Sequence, residues 1–408
     1  MKLAIYTECV SPHQLPMAKE VARMLGADNF CNIYDHPLKQ ERIDMGWDPS
    51  VREKWEFIAS NDTSKANEII GSAEVLISSS RNLSLFKHRS KRGLLTIYYG
   101  ERWFKPRLGM WRLFLPSYFR MAWQFVKLLT SRDNVLYFPM GIHAAWDMAR
   151  LCGLMNGDLR CLFRAPKLEF ERKPGGRIWV QDEPRNIQNT RKYCLDKMRM
   201  WGYFVESSKL KGKSLELGNG LVNGGQSLVA SEKGSVSSAF EAMECGSEGV
   251  KVLWVGRLLR WKRVDTIIKA VGECAKSRKI TLDIYGIGPE EAKLKKLAMR
   301  YGDVIKFYPP VAINEVRKLM REHDVYVLSS NAYEGWGAVV SEAIEEGMAV
   351  IGTYEAGSSG TVLPESNLFH VGDWQKLQYI LRRGPKLVDA KVWSAVSFAK
   401  ALLKDTFT

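Results

Sequence analysis

Residues 324–360 read DVYVLSSNAYEGWGAVVSEAIEEGMAVIGTYEAGSSG, and the rest of the chain is organised around them. Val325, Val327 and Leu328 make the apolar run of a buried strand. Gly335 and Gly337 bracket a turn, Ala338 to Glu346 have helical spacing, and Met348 to Gly352 open another strand. Strand, glycine turn and helix in succession suit a phosphate, because unpaired N–H groups and the positive end of the helix dipole face the turn. Glycine there lets an anion approach the backbone. A diphosphate over Gly335, Trp336, Gly337 and Ala338 leaves Glu334 facing one end of the ligand and Glu342 the other. Such a ligand carries hydroxyl-rich groups on both sides of its diphosphate, as a nucleotide sugar does.

Moving back along the chain, Lys251 to Val255 read as a strand that runs into Gly256-Arg257 and then Lys262, just before the helical run Val264 to Val271. Two fixed cations at a strand end and a helix start can neutralise a diphosphate, and a neutralised leaving phosphate lowers the barrier where charge develops. A strand Thr281 to Tyr285 meets Gly286-Ile-Gly288-Pro289 and a helix from Glu290 to Tyr301; Val304 to Tyr308 and Asn314 to Glu322 follow as strand and helix. Beyond the opening stretch, the small-residue turn Thr353 to Thr361 offers Ser358 and Ser359, with their N–H groups and hydroxyls, to phosphate or sugar. Trp374 to Arg383 and Val392 to Leu403 read as terminal helices.

The first half alternates in the same way, which predicts a parallel, doubly wound sheet. Lys2 to Thr7, Glu74 to Ser78, Leu94 to Tyr99 and Val135 to Phe138 read as strands, and Gln14 to Leu25 as the first helix. Loops at the carboxyl ends of such strands hold ligands. His13 and Glu101 lie in two of these loops. Glu101 is the only acid between Lys87 and Arg112, a span with eight Lys or Arg residues, so it either orients an acceptor or pairs with Arg102 or Lys105. His143, near a helix start, reads as a structural histidine.

From Trp111 to Leu129 (WRLFLPSYFRMAWQFVKLL), Tyr118, Met121, Ala122, Phe125, Val126 and Leu129 share one helical face, while Arg120, Gln124 and Lys127 share another. With Trp111, Phe114 and Trp123 alongside, this reads as a helix lying in a membrane interface rather than one packed wholly on its own domain. Asp158 to Asn189 read as a charged loop or insertion, Lys197 to Glu206 as a last element, and the Gly- and Ser-rich residues 208–249 as an interdomain connection.

A chain of 408 residues is long enough for two cores, and its 46% hydrophobic and 26% charged residues are those of an ordinary globular protein. Net charge +15 points to an acidic partner: nucleic acid, anionic lipid or a phosphorylated substrate. Seven scattered cysteines without a C-x-x-C pair predict a reduced, cytoplasmic protein with neither a disulfide framework nor a zinc site. The opening MKLAIYTECV is too short an apolar run for a signal peptide, and no run is long enough to span a bilayer.

Taken in order, Gly256-Arg257, Lys262, Gly286-x-Gly288-Pro289 and Glu334-x7-Glu342 resemble the donor half of the family-four retaining glycosyltransferases, over about Val250 to Trp374. The stretches GERWFK and KMRMWGYF are similar to those of bacterial surface-polysaccharide glycosyltransferases. The resemblance implies an α/β GT-B fold, with two Rossmann-like domains facing across a cleft and a C-terminal helix crossing back to the first. The expected division is 1–207 for the acceptor side, 250–385 for the donor side and 386–408 for the crossing helix. Arg257 and Lys262 would hold the diphosphate, Glu334 the sugar hydroxyls and Glu342 the ribose, with backbone near Gly335 to Ala338 completing the site.

No metal or cofactor is implied, and configuration would be retained by front-side attack. Implied partners are a nucleotide-sugar donor, a lipid-linked or glycan acceptor and the anionic inner face of a membrane, and not nucleic acid. The sequence departs from the family at SPHQLP, where a glycine-rich loop is usual, and at Ser359-Gly360-Thr361, where a Pro-Glu pair is usual. Glu101 stands where a histidine is common. Two alternatives are an epimerase of the same shape and a basic membrane- or nucleic-acid-binding protein on a transferase scaffold.

Overall fold

The computed structural model describes residues 1–11, 13–44, 50–105, 108–163, 166–180, 192–202 and 249–407. Its first sheet is built from β1 (Leu3–Thr7), β2 (Phe30–Tyr34), β3 (Glu56–Ile58), β4 (Val75–Ser78), β5 (Leu95–Gly100) and β6 (Val135–Pro139), in the order β3-β2-β1-β4-β5-β6. Every pairing in it is parallel. After an antiparallel hairpin, β7 (Leu168–Phe170) with β8 (Ile178–Val180), comes a second sheet. It contains β9 (Val250–Val255), β10 (Ile280–Tyr285), β11 (Ile305–Tyr308), β12 (Val325–Leu328), β13 (Ala349–Thr353) and β14 (Leu368–Phe369), in the order β11-β10-β9-β12-β13-β14, again all parallel. Both orders are 3-2-1-4-5-6, the Rossmann arrangement. Central strands of such sheets are covered on both faces and must be apolar throughout; Val325 to Leu328 accordingly are all buried.

The helix Leu15–Leu25 starts with proline in its first turn, where the missing N–H costs nothing. Its buried Met17, Ala18, Val21 and Ala22 share one core with Trp393, Ala395, Phe398, Ala399 and Leu402 at the end of the chain. The Phe398 ring lies 5.4 Å from that of Trp201. The C-terminal helix Ala395–Phe407 therefore crosses back to the first domain, and the two halves form a GT-B fold.

Several elements differ from the sequence reading. Strands β2 and β3 carry no clear apolar alternation, because Asn32 is buried and donates to the Tyr34 hydroxyl, which donates in turn to Glu56. Within residues 158–189 the described part holds the β7–β8 hairpin rather than loop alone. The aromatic stretch divides at Pro116: a 3-10 turn, Gly109–Phe114, precedes the helix Pro116–Ser131. Of Lys197 to Glu206, residues 203–206 lie outside the described residues; Met198 and Trp201 add bridges beside β6 instead of forming a regular element. The expected connection 208–249 lies, Gly249 apart, outside the described residues too. Among the described residues no helix is long and apolar enough to cross a membrane.

Candidate functional site

Past the end of β9, the backbone continues beside the loop that leaves β10. Gly256 N–H donates to Tyr285 O (3.0 Å), Leu258 N–H to Ile287 O (2.9 Å) and Glu290 N–H to Leu258 O (3.1 Å). This approach needs glycine: a Cβ on Gly286, at φ +150°, would stand 1.8 Å from Gly256 O, and one on Gly288 2.4 Å from Leu258 O. The two glycines read as ligand contacts thus make room for the neighbouring loop. The docked loops present Arg257 to solvent, with no ion pair among the described residues.

Lys262 closes the short turn Arg260–Lys262 and points across to β12. Its ammonium meets Glu334 Oε2 at 2.5 Å and lies 4.5 Å from the centre of the Trp261 ring. Ser330 Oγ donates to the same carboxylate oxygen at 2.7 Å. Lys262 and Glu334 are only 18% and 13% exposed, so each charge depends on the other for compensation.

The first domain reaches this stretch at two points. Glu101, just beyond β5, bonds Lys105 at 2.6 Å, and a Cβ on Gly335 would stand 2.3 Å from Glu101 Oε1. Glycine at 335 therefore admits the Glu101 carboxylate from across the cleft. Arg102 is engaged elsewhere, with Asp147 (3.1 Å). At the second point, His13 Nδ1 lies 3.7 Å from Glu342 Oε1. Burial lowers the His13 imidazole to about 4, and Arg317 and Arg42 push the same way. Burial raises the Glu342 carboxyl; Arg317 opposes this, while Glu345 and Glu346 reinforce it. Both groups thus tend toward neutrality, and the contact is not a true ion pair despite its charge types. Arg317 is itself held by Glu345 (2.8 Å) and Glu346 (2.9 Å).

Trp336 has only its backbone to offer a ligand: its side chain is 1% exposed, its indole N–H donates to Ser341 Oγ (3.3 Å), and Gly202 packs against its ring. Ser358 and Ser359 are fully buried, and their hydroxyls donate to Gly337 O (3.2 Å) and Thr353 O (2.8 Å). The turn around them is a short helix, Gly357–Val362, whose first two N–H groups already donate to Gly335 O and Trp336 O. That helix fastens the two domains together. Ile142 N–H donates to Thr361 Oγ1 (3.0 Å), Arg172 donates to the carbonyls of Gly360, Thr361 and Leu363, and His143 bonds Tyr354 O. His143 is structural, as read from sequence. The helix expected over Ala338 to Glu346 is Val339–Glu345, with Gly337 at φ +79° and Ala338 as its cap.

Ser330, Arg317 and Tyr326 belong to the site and were missed. Ser330 precedes Glu334 by four residues, a local pairing that sequence shows only once the turn between them is known. Tyr326 is fully buried in β12; burial, and then Glu334 and Glu342, raise its phenol. Neither its position nor that of Arg317 has a signal short of the fold. Among the described residues no three His, Cys, Asp or Glu side chains gather into a metal cluster.

Residues 238–383 match the family described as Glycosyl transferases group 1. The chain has the GT-B fold, and this match lies over its second domain. Among curated proteins, it is similar to the UDP-N-acetylglucosamine–peptide N-acetylglucosaminyltransferase GtfA subunit of Streptococcus pneumoniae serotype 4, at 29% identity over 164 residues, 37% of this chain and 31% of that protein. An uncharacterized glycosyltransferase, MJ1069, of Methanocaldococcus jannaschii is 31% identical over 121 residues, 29% of this chain and 31% of that one. The chain spans about a third of the length of these curated relatives. Among solved structures, Anabaena Alr3699/HepE in complex with UDP shares the fold, with a TM-score of 0.53 at 14% identity over 100% of this chain and 96% of that one.

Proposed function

We propose that this chain is a retaining, metal-independent glycosyltransferase that moves a hexosyl group from a nucleotide-sugar donor to a lipid-linked or glycan acceptor. The observation that carries the reading is the enclosed Lys262–Glu334 pair, with Arg257, in no ion pair among the described residues, beside it and Glu101 and His13 brought up from the other domain. Arriving diphosphate competes with Glu334 for Lys262, and Lys262 and Arg257 together neutralise the diphosphate. Glu334, relieved of its partner but still held by Ser330, accepts hydrogen bonds from the sugar hydroxyls. Glu342, set back in the short helix, faces the ribose.

In the transfer, the bond from the anomeric carbon to the diphosphate oxygen breaks as the acceptor oxygen bonds to the same face of the sugar. The acceptor proton passes to the departing phosphate oxygen, so no protein nucleophile is needed. Glu101 orients the acceptor. The basic, aromatic helix Pro116–Ser131 supports a place at the cytoplasmic face of a membrane, and with it a role in cell-surface glycan synthesis.

The test is a thermal-shift screen over nucleotides and nucleotide sugars, followed by product analysis with the stabilising donor. A ligand that binds only the folded chain raises its midpoint. Expected are stabilisation by one nucleotide-sugar class and a glycosylated acceptor; conversion of the donor sugar without any acceptor would instead make the chain an epimerase.

A further inference from the structure

The face of the helix Pro116–Ser131 that was expected to enter a membrane is the one that packs inward: Ala122, Phe125, Val126, Leu128 and Leu129 are buried. A second stripe faces out. Leu115, Phe119, Trp123 and Lys127 follow one another at four-residue spacing, each exposed, and Trp111 and Phe114 in the preceding turn are 71% and 74% exposed. The rings meet in pairs, Trp111 tilted against Phe114 at 5.3 Å and Phe119 stacked on Trp123 at 6.1 Å. Water-facing aromatics in such number form a patch that calls for a partner.

Where the stripe ends, a cavity of about 500 Å³ opens between this helix and the helix Leu83–Lys91. Its wall includes Lys87, Lys91, Lys127 and Arg132 together with Trp123, and among the described residues no acidic one lines it. Lys87 and Lys91 stand one helical turn apart, and none of the four cations makes an ion pair among the described residues. Four like charges around one cavity repel each other, so the arrangement is completed by an anion.

We infer that this cavity seats the phosphate of an anionic phospholipid headgroup while the adjoining aromatic stripe enters the bilayer interface. The charge alone fits any polyanion. The stripe selects the lipid, because Trp123 belongs to both features: its ring forms part of the cavity wall and continues the apolar row that a soluble phosphate or a nucleic-acid backbone leaves in water. The inference rests on the membrane-peripheral part of the proposed function and gives it a binding site, separate from the donor cleft.

The test is flotation of the full chain with vesicles of phosphatidylcholine alone, of phosphatidylcholine with phosphatidylglycerol, and of phosphatidylcholine with an equal charge of oleate. Binding is expected to follow phosphatidylglycerol well ahead of oleate. Lys87→Ala/Lys91→Ala should weaken it ~30-fold, since each membrane-proximal cation contributes about fivefold. Lys91→Ala alone should cost ~5-fold. Arg120→Ala, which removes an equal charge from the same helix outside the cavity, should cost less than ~2-fold. Equal losses for Lys91→Ala and Arg120→Ala, equal binding to oleate vesicles, or RNA binding that is lost in the double variant without vesicle binding, would each overturn the headgroup site. Donor binding by thermal shift reads the cleft independently, so a failure here is distinguishable from a failure of the transferase reading.

Discussion

The two halves run the same strand order, yet their sheets are finished differently at the carboxyl edge. In the second half, backbone docks on backbone: the loop after β9 lies against the glycine-rich loop after β10, and this frame holds Arg257 and Lys262 opposite Glu334. In the first half the loops after β1 and β2 also touch through backbone, Asp35 N–H donating to Thr7 O (2.8 Å) and His36 N–H to Glu8 O (3.2 Å), but the contributions to the cleft, His13 and Glu101, arrive as single side chains laid against the other domain. Identical topology supplies the positions, and loop chemistry supplies the difference. A donor site built on fixed backbone suits a constant feature such as a diphosphate, whereas side chains on separate loops suit a variable acceptor.

The sharpest way to break this contrast is at Glu334. Glu334→Gln keeps the shape and removes the charge, and is expected to lower transfer about 1,000-fold, in the range for losing one charge-positioning group at a reacting centre. Turnover within tenfold of the parent would remove Glu334 from the donor site. Next, Gly286→Ala tests whether the backbone frame is structural: with a carbonyl 1.8 Å from the new Cβ, it should lower unfolding free energy by about 3 kcal/mol in denaturant titration. A loss of donor affinity with unchanged stability would return the glycine to the role of ligand contact.

His13 probes the other half. Its imidazole titrates near 6.5 in the unfolded chain and about 4 in the folded one, so between those values the unfolded state binds more protons. Its contribution therefore falls as pH drops from 6.5 toward 4 and is constant below that. Glu342, shifted upward, has the opposite slope, so the informative quantity is the difference between parent and His13→Gln. The variant should recover about 3 kcal/mol relative to the parent across that window. Parallel stability curves would show that His13 is not desolvated by the contact. The smallest effect is expected from Arg257→Ala: an exposed cation lost from the diphosphate site should raise the donor KM about tenfold and leave stability unchanged.

The second half was legible because its signals are local. The strand, the paired glycines and the spacing from Glu334 to Glu342 all fall within short windows, and strand ends read from apolar runs lie within a residue or two of β9 to β13. What was not legible depends on distant contacts. β2 hides behind Asn32, whose amide N–H donates to the Tyr34 hydroxyl two residues on, and that hydroxyl is anchored in turn by the distant Glu56. Ser358 and Ser359 have the composition of a ligand turn, and only the carbonyls of Thr353 and Gly337 beside them show that their hydroxyls are spent. The aromatic helix displays two apolar stripes in sequence, and the position of the protein's own core decides which faces out.

The packing of the crossing helix also bears on how the molecule comes apart. Met17, Ala18 and Val21 from the first domain share one apolar cluster with Leu328, Trp336 and Val340 from the second, and with Phe398 and Leu402 at the chain's end. Melting either half would strip cover from the other, so the two cannot act as independent cooperative units. Calorimetry is accordingly expected to record one endotherm, with no shoulder from a surviving domain.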